Sequence, residues 1–136
     1  VDAPEESYVM DCVARVPGVI AVAAATEETD TNNLLGKAGS YYARIVFSYE
    51  LVGNSSAQGA DLVAQGTDCG GSIEVFNTAE DAEKRSVYLG AFDGTIFASG
   101  SHTVIGTVLV RTSDKLTASQ QKELEANIIE ILTTVS

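Results

Sequence analysis

The stretch that decides the fold is Gly70–Arg85, GGSIEVFNTAEDAEKR, at the centre of a longer unit from Gly66 to Arg111. Ser72–Phe76 alternates, with Ile73 and Val75 on one side, and such alternation is typical of a half-buried strand. The segment that follows this strand has the composition and charge pattern of a helix. The centre of the chain is therefore predicted to be a strand that leads directly into a helix.

The helix is predicted to run from Ala79 to about Phe92, with Thr78 as its N-cap and Asp93-Gly94 as its stop. Two acidic residues in the first turn favour the positive end of the helix dipole. Acid-first pairs four residues apart add a few tenths of a kcal/mol each on a helix surface. The predicted pairs are Glu80–Lys84 and Asp81–Arg85.

The run Thr103–Arg111 is nearly all apolar and predicts one central strand covered by neighbouring elements. A strand, a helix and a return strand with connections of this length predict a right-handed βαβ crossover.

The flanking segments complete the predicted fold. Apolar spacing predicts a helix over Glu5–Val16, strands over Val19–Ala25 and Tyr41–Leu51, and a C-terminal helix whose apolar stripe ends at Val135. Thr117–Gln120 has the pattern of a capping box for that last helix. The element order is α-β-β-β-α-β-α. We therefore expect an α+β fold, a two-layer α/β sandwich in which a mixed four-stranded sheet carries three helices mainly on one face.

Composition limits the functions that the chain can have. Its 136 residues predict a single domain, and 45% hydrophobic residues suit a globular core. Eight basic and 19 acidic residues give a net charge of −11, the wrong sign for binding nucleic acid. The chain starts at Val1 without an initiating Met, which we interpret as a processed or trimmed end.

The two cysteines, Cys12 and Cys69, are not in a C-x-x-C motif. Cys12 lies on the buried stripe of the first predicted helix, and Cys69 directly precedes the strand that this helix should cover. We expect them to be close enough for a disulfide if the protein is exported, and to be two buried thiols if it is cytosolic.

The polar connection Thr26–Ser40 concentrates oxygen-bearing side chains, and long ordered loops are often functional. Its acidic part is the predicted cation site, for which Ca²⁺ is the candidate ion and no other cofactor is expected. The predicted ligands of this ion are Glu27, Glu28, Asp30 and Asn32. A binding surface is predicted at Asp30, Asn32, Asn33 and Asp68. The alternative is that these residues are solvated turn positions. The glycine-rich segment Gly66–Gly71 is interpreted as a tight turn or bulge where another backbone comes close.

His102 is the single histidine. Together with Asp30 or Asp68 it is the basis of a hydrolase hypothesis, and the neighbouring Ser99 and Ser101 suggest a Ser-His pair. No Gly-x-Ser-x-Gly elbow is present. We therefore do not expect an enzyme.

Two motifs of the chain are distinctive as a pair: Thr26–Lys37, TEETDTNNLLGK, and Gly70–Phe76 followed by Asp81–Arg85. Together they resemble motifs of a family of uncharacterised secreted proteins and lipoproteins of Gram-positive bacteria. Thr31 and Ala38 stand where the family pattern has prolines, and Cys69 stands where it has a small residue. The resemblance implies an extracellular or cell-surface bacterial location, with any membrane attachment through an anchor outside this chain. It implies no known activity.

These observations favour a non-catalytic extracytoplasmic binding module, monomeric, with an unknown protein or small ligand as its partner. The alternative is a hydrolytic enzyme or an inhibitor-type domain acting at the cell surface.

Overall fold

A computed structural model describes residues 3–52, 62–64, 67, 69–91 and 101–133 of the chain. These residues form five strands and three helices, with a further helical segment at residues 62–64. In chain order the elements are α1 (Glu6–Ala14), β1 (Val19–Ala24), β2 (Ala43–Tyr49), β3 (Gly70–Val75), α2 (Ala79–Gly90), β4 (His102–Ile105), β5 (Val108–Thr112) and α3 (Ala118–Thr133). The predicted end of α2 at Phe92, with its stop at Asp93-Gly94, and Val135 at the end of α3 lie outside the described residues.

The strands form one open sheet in the order β1-β2-β3-β5-β4, and every neighbouring pair is antiparallel. The α+β class is confirmed, whereas the mixed four-stranded sheet is wrong. β1 and β2, which follow each other in the chain, pair antiparallel. The predicted adjacent parallel pair does not form, because β5 lies between β3 and β4. β4 runs in the same direction as β3, but the two strands are not neighbours.

The error arises at Gly106, which splits the predicted strand Thr103–Arg111 into a hairpin. Gly106 has φ of 60°, a left-handed conformation that glycine adopts without steric cost. The chain turns there and pairs Ile105 with Val108 and Val104 with Leu109. A nearly all-apolar run conceals such a turn, because the strands on both sides of it, half-buried β4 and buried β5, are rich in apolar residues.

Helices cover both faces of the sheet. On the first face, α1 and α3 pack against β2, β3 and β5 around buried side chains that include Val13, Ile45, Ile73, Val110 and Ile128. On the second face, Ala82 and Leu89 of α2 pack with Tyr41, Phe76 and Leu109. Two of the three helices lie on one face, as expected, but α2 covers the other face. The central strands are therefore buried on both sides.

The alternation predicted for β3 is confirmed, since Ile73 and Val75 face α1 and α3, and Ser72 and Glu74 face the other way. The expectation of a half-buried strand is wrong, because helices cover both faces and every residue of β3 is buried. Tyr41, just before β2, packs on the second face beside Phe76. The second face therefore combines an apolar cluster with polar strand residues.

Gly70 and Gly71 allow the central strands to approach each other, as the sequence predicted. A Cβ at Gly71 would lie 2.2 Å from the carbonyl oxygen of Arg111 and 2.7 Å from Cζ of Phe47. A Cβ at Gly70 would lie 2.8 Å from the carbonyl oxygen of Phe47. No side chain fits at either position without displacing backbone or a buried ring.

Both predicted helix starts are present. The Asp81 N–H donates to Oγ1 of Thr78 at 3.1 Å. In the capping box, the Thr117 N–H donates to Oε1 of Gln120 at 2.9 Å, and the Gln120 N–H donates to Oγ1 of Thr117 at 3.2 Å. Lys84 pairs with Glu80 at 3.3 Å, as predicted.

Cys12 and Cys69 are both buried, and no disulfide links them. Cys12 belongs to the core between the sheet and the helices α1 and α3, whereas Cys69 packs with Val46, Leu62 and Val63 on the other face. The predicted contact is wrong because the sheet separates the two thiols. The prediction assumed that α1 covers the face on which Cys69 lies.

Candidate functional site

The polar connection between β1 and β2, residues 25–42, is held against the second face of the sheet. It will be called the β1–β2 loop. Its anchor is Asp30, whose side chain is fully buried and whose Oδ1 lies 2.8 Å from Nη1 of Arg44 on β2. The same Arg44 nitrogen donates to Oγ1 of Thr31 at 2.7 Å. The loop is therefore tied to the centre of the sheet through a buried ion pair.

The carboxylate of Asp30 also organises the loop backbone. Its Oδ2 accepts hydrogen bonds from the Tyr41 hydroxyl at 2.7 Å and from the N–H groups of Leu34 and Leu35 at 2.9 and 3.0 Å. Burial alone would raise the pKa of Asp30, but hydrogen bonds from Tyr41 and from the backbone of Leu34, Leu35 and Asn32 lower it to about 2. The carboxylate is thus ionised at neutral pH.

A second buried carboxylate lies on β3. Glu74 is fully buried, and its two oxygens meet Nε of Arg85 from α2 at 3.0 Å and Nη1 of Arg111 from β5 at 3.1 Å. Burial lowers the pKa of the Arg111 guanidinium, and Glu74 opposes that effect. The predicted pairing of Arg85 with Asp81 is replaced by this contact, because the buried Glu74 lies beneath the helix.

Together these residues form what we call the buried charge cluster, in which three guanidinium groups meet two carboxylates. Its members are Asp30, Arg44, Glu74, Arg85 and Arg111. Arg44 and Glu74 are directly opposite each other in the register of β2 and β3. The cluster lies on the second face and joins the β1–β2 loop, α2 and the three central strands.

The predicted cation ligands do not converge on one point. Asp30 is turned inward to Arg44, whereas Glu27 and Glu28 are exposed. Asn32 donates through Nδ2 to the Tyr41 hydroxyl at 3.1 Å, and Asn33 is exposed. Within the described part of the chain, no group of three or more His, Cys, Asp or Glu side chains could hold a metal ion. Asp68 lies outside that part.

We therefore expect Ca²⁺ to leave the stability of the domain unchanged. A bound ion would stabilise the folded state by about 2.7 kcal/mol at a hundredfold excess over Kd. The measurement is thermal unfolding in millimolar Ca²⁺ and in chelator, with Glu28→Gln as a loop variant that keeps the Asp30 anchor. A rise of the midpoint in Ca²⁺ that Glu28→Gln abolishes would contradict this expectation and restore the predicted cation site.

His102 at the start of β4 lies beside α2. Its Nδ1 is 3.0 Å from Oγ of Ser86. The hydroxyl therefore comes from α2 and not from the predicted Ser101, and Ser99 is not among the described residues. Asp30, one of the two acids considered for a hydrolase, uses both carboxylate oxygens in the contacts given above. Sequence reasoning missed Ser86 because it lies sixteen positions away from His102.

An open groove of about 360 Å³ lies between the β1–β2 loop and α2. The loop contributes Leu34 and residues 37–40, and the other wall consists of Phe76, Asp81, Lys84 and Arg85. Arg85 belongs to both the groove and the buried charge cluster. The groove walls are therefore fixed to the sheet by buried ionic contacts.

The groove differs in charge from the rest of the molecule. Three of its lining residues are basic, Lys37, Lys84 and Arg85, and one, Asp81, is acidic. The whole chain has only eight basic residues against 19 acidic ones. The sequence predicted a site in the acidic part of the loop, and the structure places the groove beside its later, basic part.

The chain matches no protein-family model, no curated protein and no solved structure. None of the helices in the described ranges has the length and apolar character that crossing a membrane requires.

Proposed function

We propose that the domain is a non-catalytic binding module and that the groove between the β1–β2 loop and α2 is its ligand site. The observation that carries this proposal is the buried charge cluster directly beneath the groove. Asp30 fixes the loop wall, and Arg85 fixes the helix wall through Glu74. The loop wall is therefore anchored to β2 and the helix wall to the neighbouring strand β3.

Such anchoring favours binding. A loop that is already ordered loses little conformational entropy when a ligand arrives, so more of the contact energy appears as affinity. The N–H groups of Leu34 and Leu35 donate to the carboxylate of Asp30, and the N–H of Gly36 donates to the Tyr41 carbonyl at 3.0 Å. The buried ion pair of Asp30 and Arg44, whose burial costs several kcal/mol of desolvation per charge, holds the loop in one conformation.

The proposal extends to location and assembly. The domain is proposed to act outside the bacterial cell as a monomer. Any attachment to the membrane is proposed to be through an anchor outside this chain. The motif resemblance supports the location. The net charge of −11 opposes contact with nucleic acid and with anionic lipid. The partner is a small ligand or a protein segment that enters the groove.

The test is a two-dimensional NMR screen of the ¹⁵N-labelled domain with small fragments of mixed charge. We expect saturable shifts of the backbone amides of residues 34–40 and of the first two turns of α2. Ala38→Trp should fill the groove and abolish these shifts. Ala126→Trp, on the exposed side of α3, is the matched control and should retain them.

A screen in which every fragment leaves these amides unmoved would contradict the proposed function. Shifts that cluster elsewhere and persist in Ala38→Trp would place the site outside the groove.

The hydrolase alternative is favoured by one observation, the contact between Ser86 and His102. Hydrolysis of a p-nitrophenyl ester that is lost in Ser86→Ala and kept in Ser119→Ala would establish it. Ser119 lies at the exposed start of α3, and its substitution removes a hydroxyl without touching His102. Equal rates in both variants and in the unmodified domain would leave the binding module as the better account.

A further inference from the structure

We infer that the ligand of the groove is a small carboxylic acid with an apolar body. This inference rests on the proposed function and specifies the ligand class of that site. Three features of the groove lead to it: an excess of positive charge, cationic side chains that are available to a ligand, and an apolar wall.

The first feature is charge. Lys37, Lys84 and Arg85 outnumber Asp81 in the lining. Even when Glu74 is counted against the Arg85 that it pairs with, the groove keeps one net positive charge in a chain of net charge −11. A uniformly acidic surface would repel an anion. A local reversal of sign attracts it to one place, since exposed charges act mainly within a Debye length of about 8–10 Å.

The second feature is the availability of two of the three cations. Arg85 is committed to Glu74, with its side chain 11% exposed. Lys84 is 70% exposed and pairs with Glu80, itself 78% exposed, along the helix surface. Such a surface pair is worth at most about 1 kcal/mol and exchanges readily for a better partner. Lys37 is exposed on the loop wall. The two lysines lie on opposite walls of the groove and are the groups that would receive a carboxylate.

The third feature is apolar surface at the same place. Half-buried Leu34 and exposed Ala38 supply apolar surface to the groove, and Phe76 borders it from the core with only 1% of its surface exposed. A volume of about 360 Å³ is at the small end of the range for ligand pockets. One negative charge with a short hydrocarbon body fits this combination, whereas a compact inorganic anion would leave the apolar wall uncovered.

Matched probes test the charge and the body separately. 4-Phenylbutyrate, 4-phenylbutanamide and 4-phenylbutylamine share one body and carry negative, zero and positive charge. Inorganic phosphate carries charge without a body. NMR titration should give saturable shifts of residues 34–40 with 4-phenylbutyrate, at least tenfold weaker binding of the amide, and no shifts with the amine or with phosphate at equal concentration.

Lysine variants test the assigned cations. Lys37→Gln and Lys84→Gln should each weaken 4-phenylbutyrate binding severalfold, and the double variant should weaken it at least tenfold. Lys122→Gln removes the same charge from α3, on the other face of the sheet, and should bind like the unmodified domain. All three positions are exposed, so unchanged thermal midpoints are expected and confirm that the variants remain folded.

The outcomes separate the two proposals. Equal binding of the acid and the amide, or equal loss in Lys122→Gln, overturns the carboxylate inference and leaves a groove that binds ligands without regard to charge. Phosphate that binds as tightly as 4-phenylbutyrate overturns the requirement for an apolar body. If no probe moves the groove amides, this inference fails, and the proposed function then stands or falls with the wider fragment screen.

Discussion

Glu74→Gln is expected to lower the free energy of unfolding by about 3–5 kcal/mol, the range found when one partner of a buried ion pair is removed. Glu74 is fully buried, and Arg85 and Arg111 are only 11% and 7% exposed. The amide keeps the shape of the side chain, but it leaves two neighbouring guanidinium groups in the interior without a negative charge. Such a loss is a large fraction of the roughly 5–15 kcal/mol that stabilises most domains.

Denaturant unfolding at neutral pH measures this effect, and Glu80→Gln is its control. Glu80 also contacts a cation, Lys84, but both side chains are at least 70% exposed. Its substitution should change the stability by less than about 0.5 kcal/mol. Equal effects of the two substitutions would show that Glu74 is not held in a low-dielectric ionic contact.

Asp30→Asn is expected to cost a similar amount at neutral pH, about 3–5 kcal/mol, and to release the β1–β2 loop. The substitution leaves Arg44 buried without its carboxylate. It also weakens the hydrogen bonds that hold Leu34 and Leu35. Because Leu34 lines the groove, groove ligands should bind more weakly to this variant. Glu28→Gln, an exposed acid of the same loop, should change neither property.

The cost of Asp30→Asn should depend on pH in a defined direction. The pKa of Asp30 is about 2 in the folded state against 3.8 for the ordinary carboxyl. A lowered folded-state pKa contributes stability above the ordinary pKa, and that stability is lost as the pH falls through about 2. The difference in unfolding free energy between the unmodified domain and Asp30→Asn should therefore shrink by about 2 kcal/mol between pH 5 and pH 2. A difference that is constant over this range would contradict the ionised, buried Asp30.

The sequence predicted a site in the acidic part of the β1–β2 loop, whereas the groove lies beside Leu34 and residues 37–40 of the same loop. Glu27, Glu28, Asp30, Asn32 and Asn33 all share the polar character that suggested a ligand site, yet only Asp30 is buried. Asp30 stabilises the loop instead of holding an ion. Composition does not show which of these side chains is buried. The side chain of Asp30 points toward the sheet because Arg44 lies on the neighbouring strand β2 and pairs with it. The groove lies between residues 34–40 and α2. These segments are far apart in the sequence, so no local sequence pattern predicts that they lie side by side.

Elements that depend on local interactions were predictable from the sequence. Alternation in Ser72–Phe76, the cap at Thr78 and the capping box at Thr117–Gln120 depend on residues within a few positions of each other, and all three are present. The close approach at Gly70-Gly71 was also readable, because the absence of a Cβ is itself a property of the sequence.

How these elements pack together depends on contacts between residues far apart in the chain. The turn at Gly106 placed β5 between β3 and β4, and the sheet then separated Cys12 from Cys69. Arg85 pairs with Glu74 across the helix–sheet interface and not with Asp81 one turn away. The reason is energetic. An exposed pair on a helix surface contributes a few tenths of a kcal/mol, whereas a buried carboxylate without a cation costs several, so the distant buried charge determines the partner.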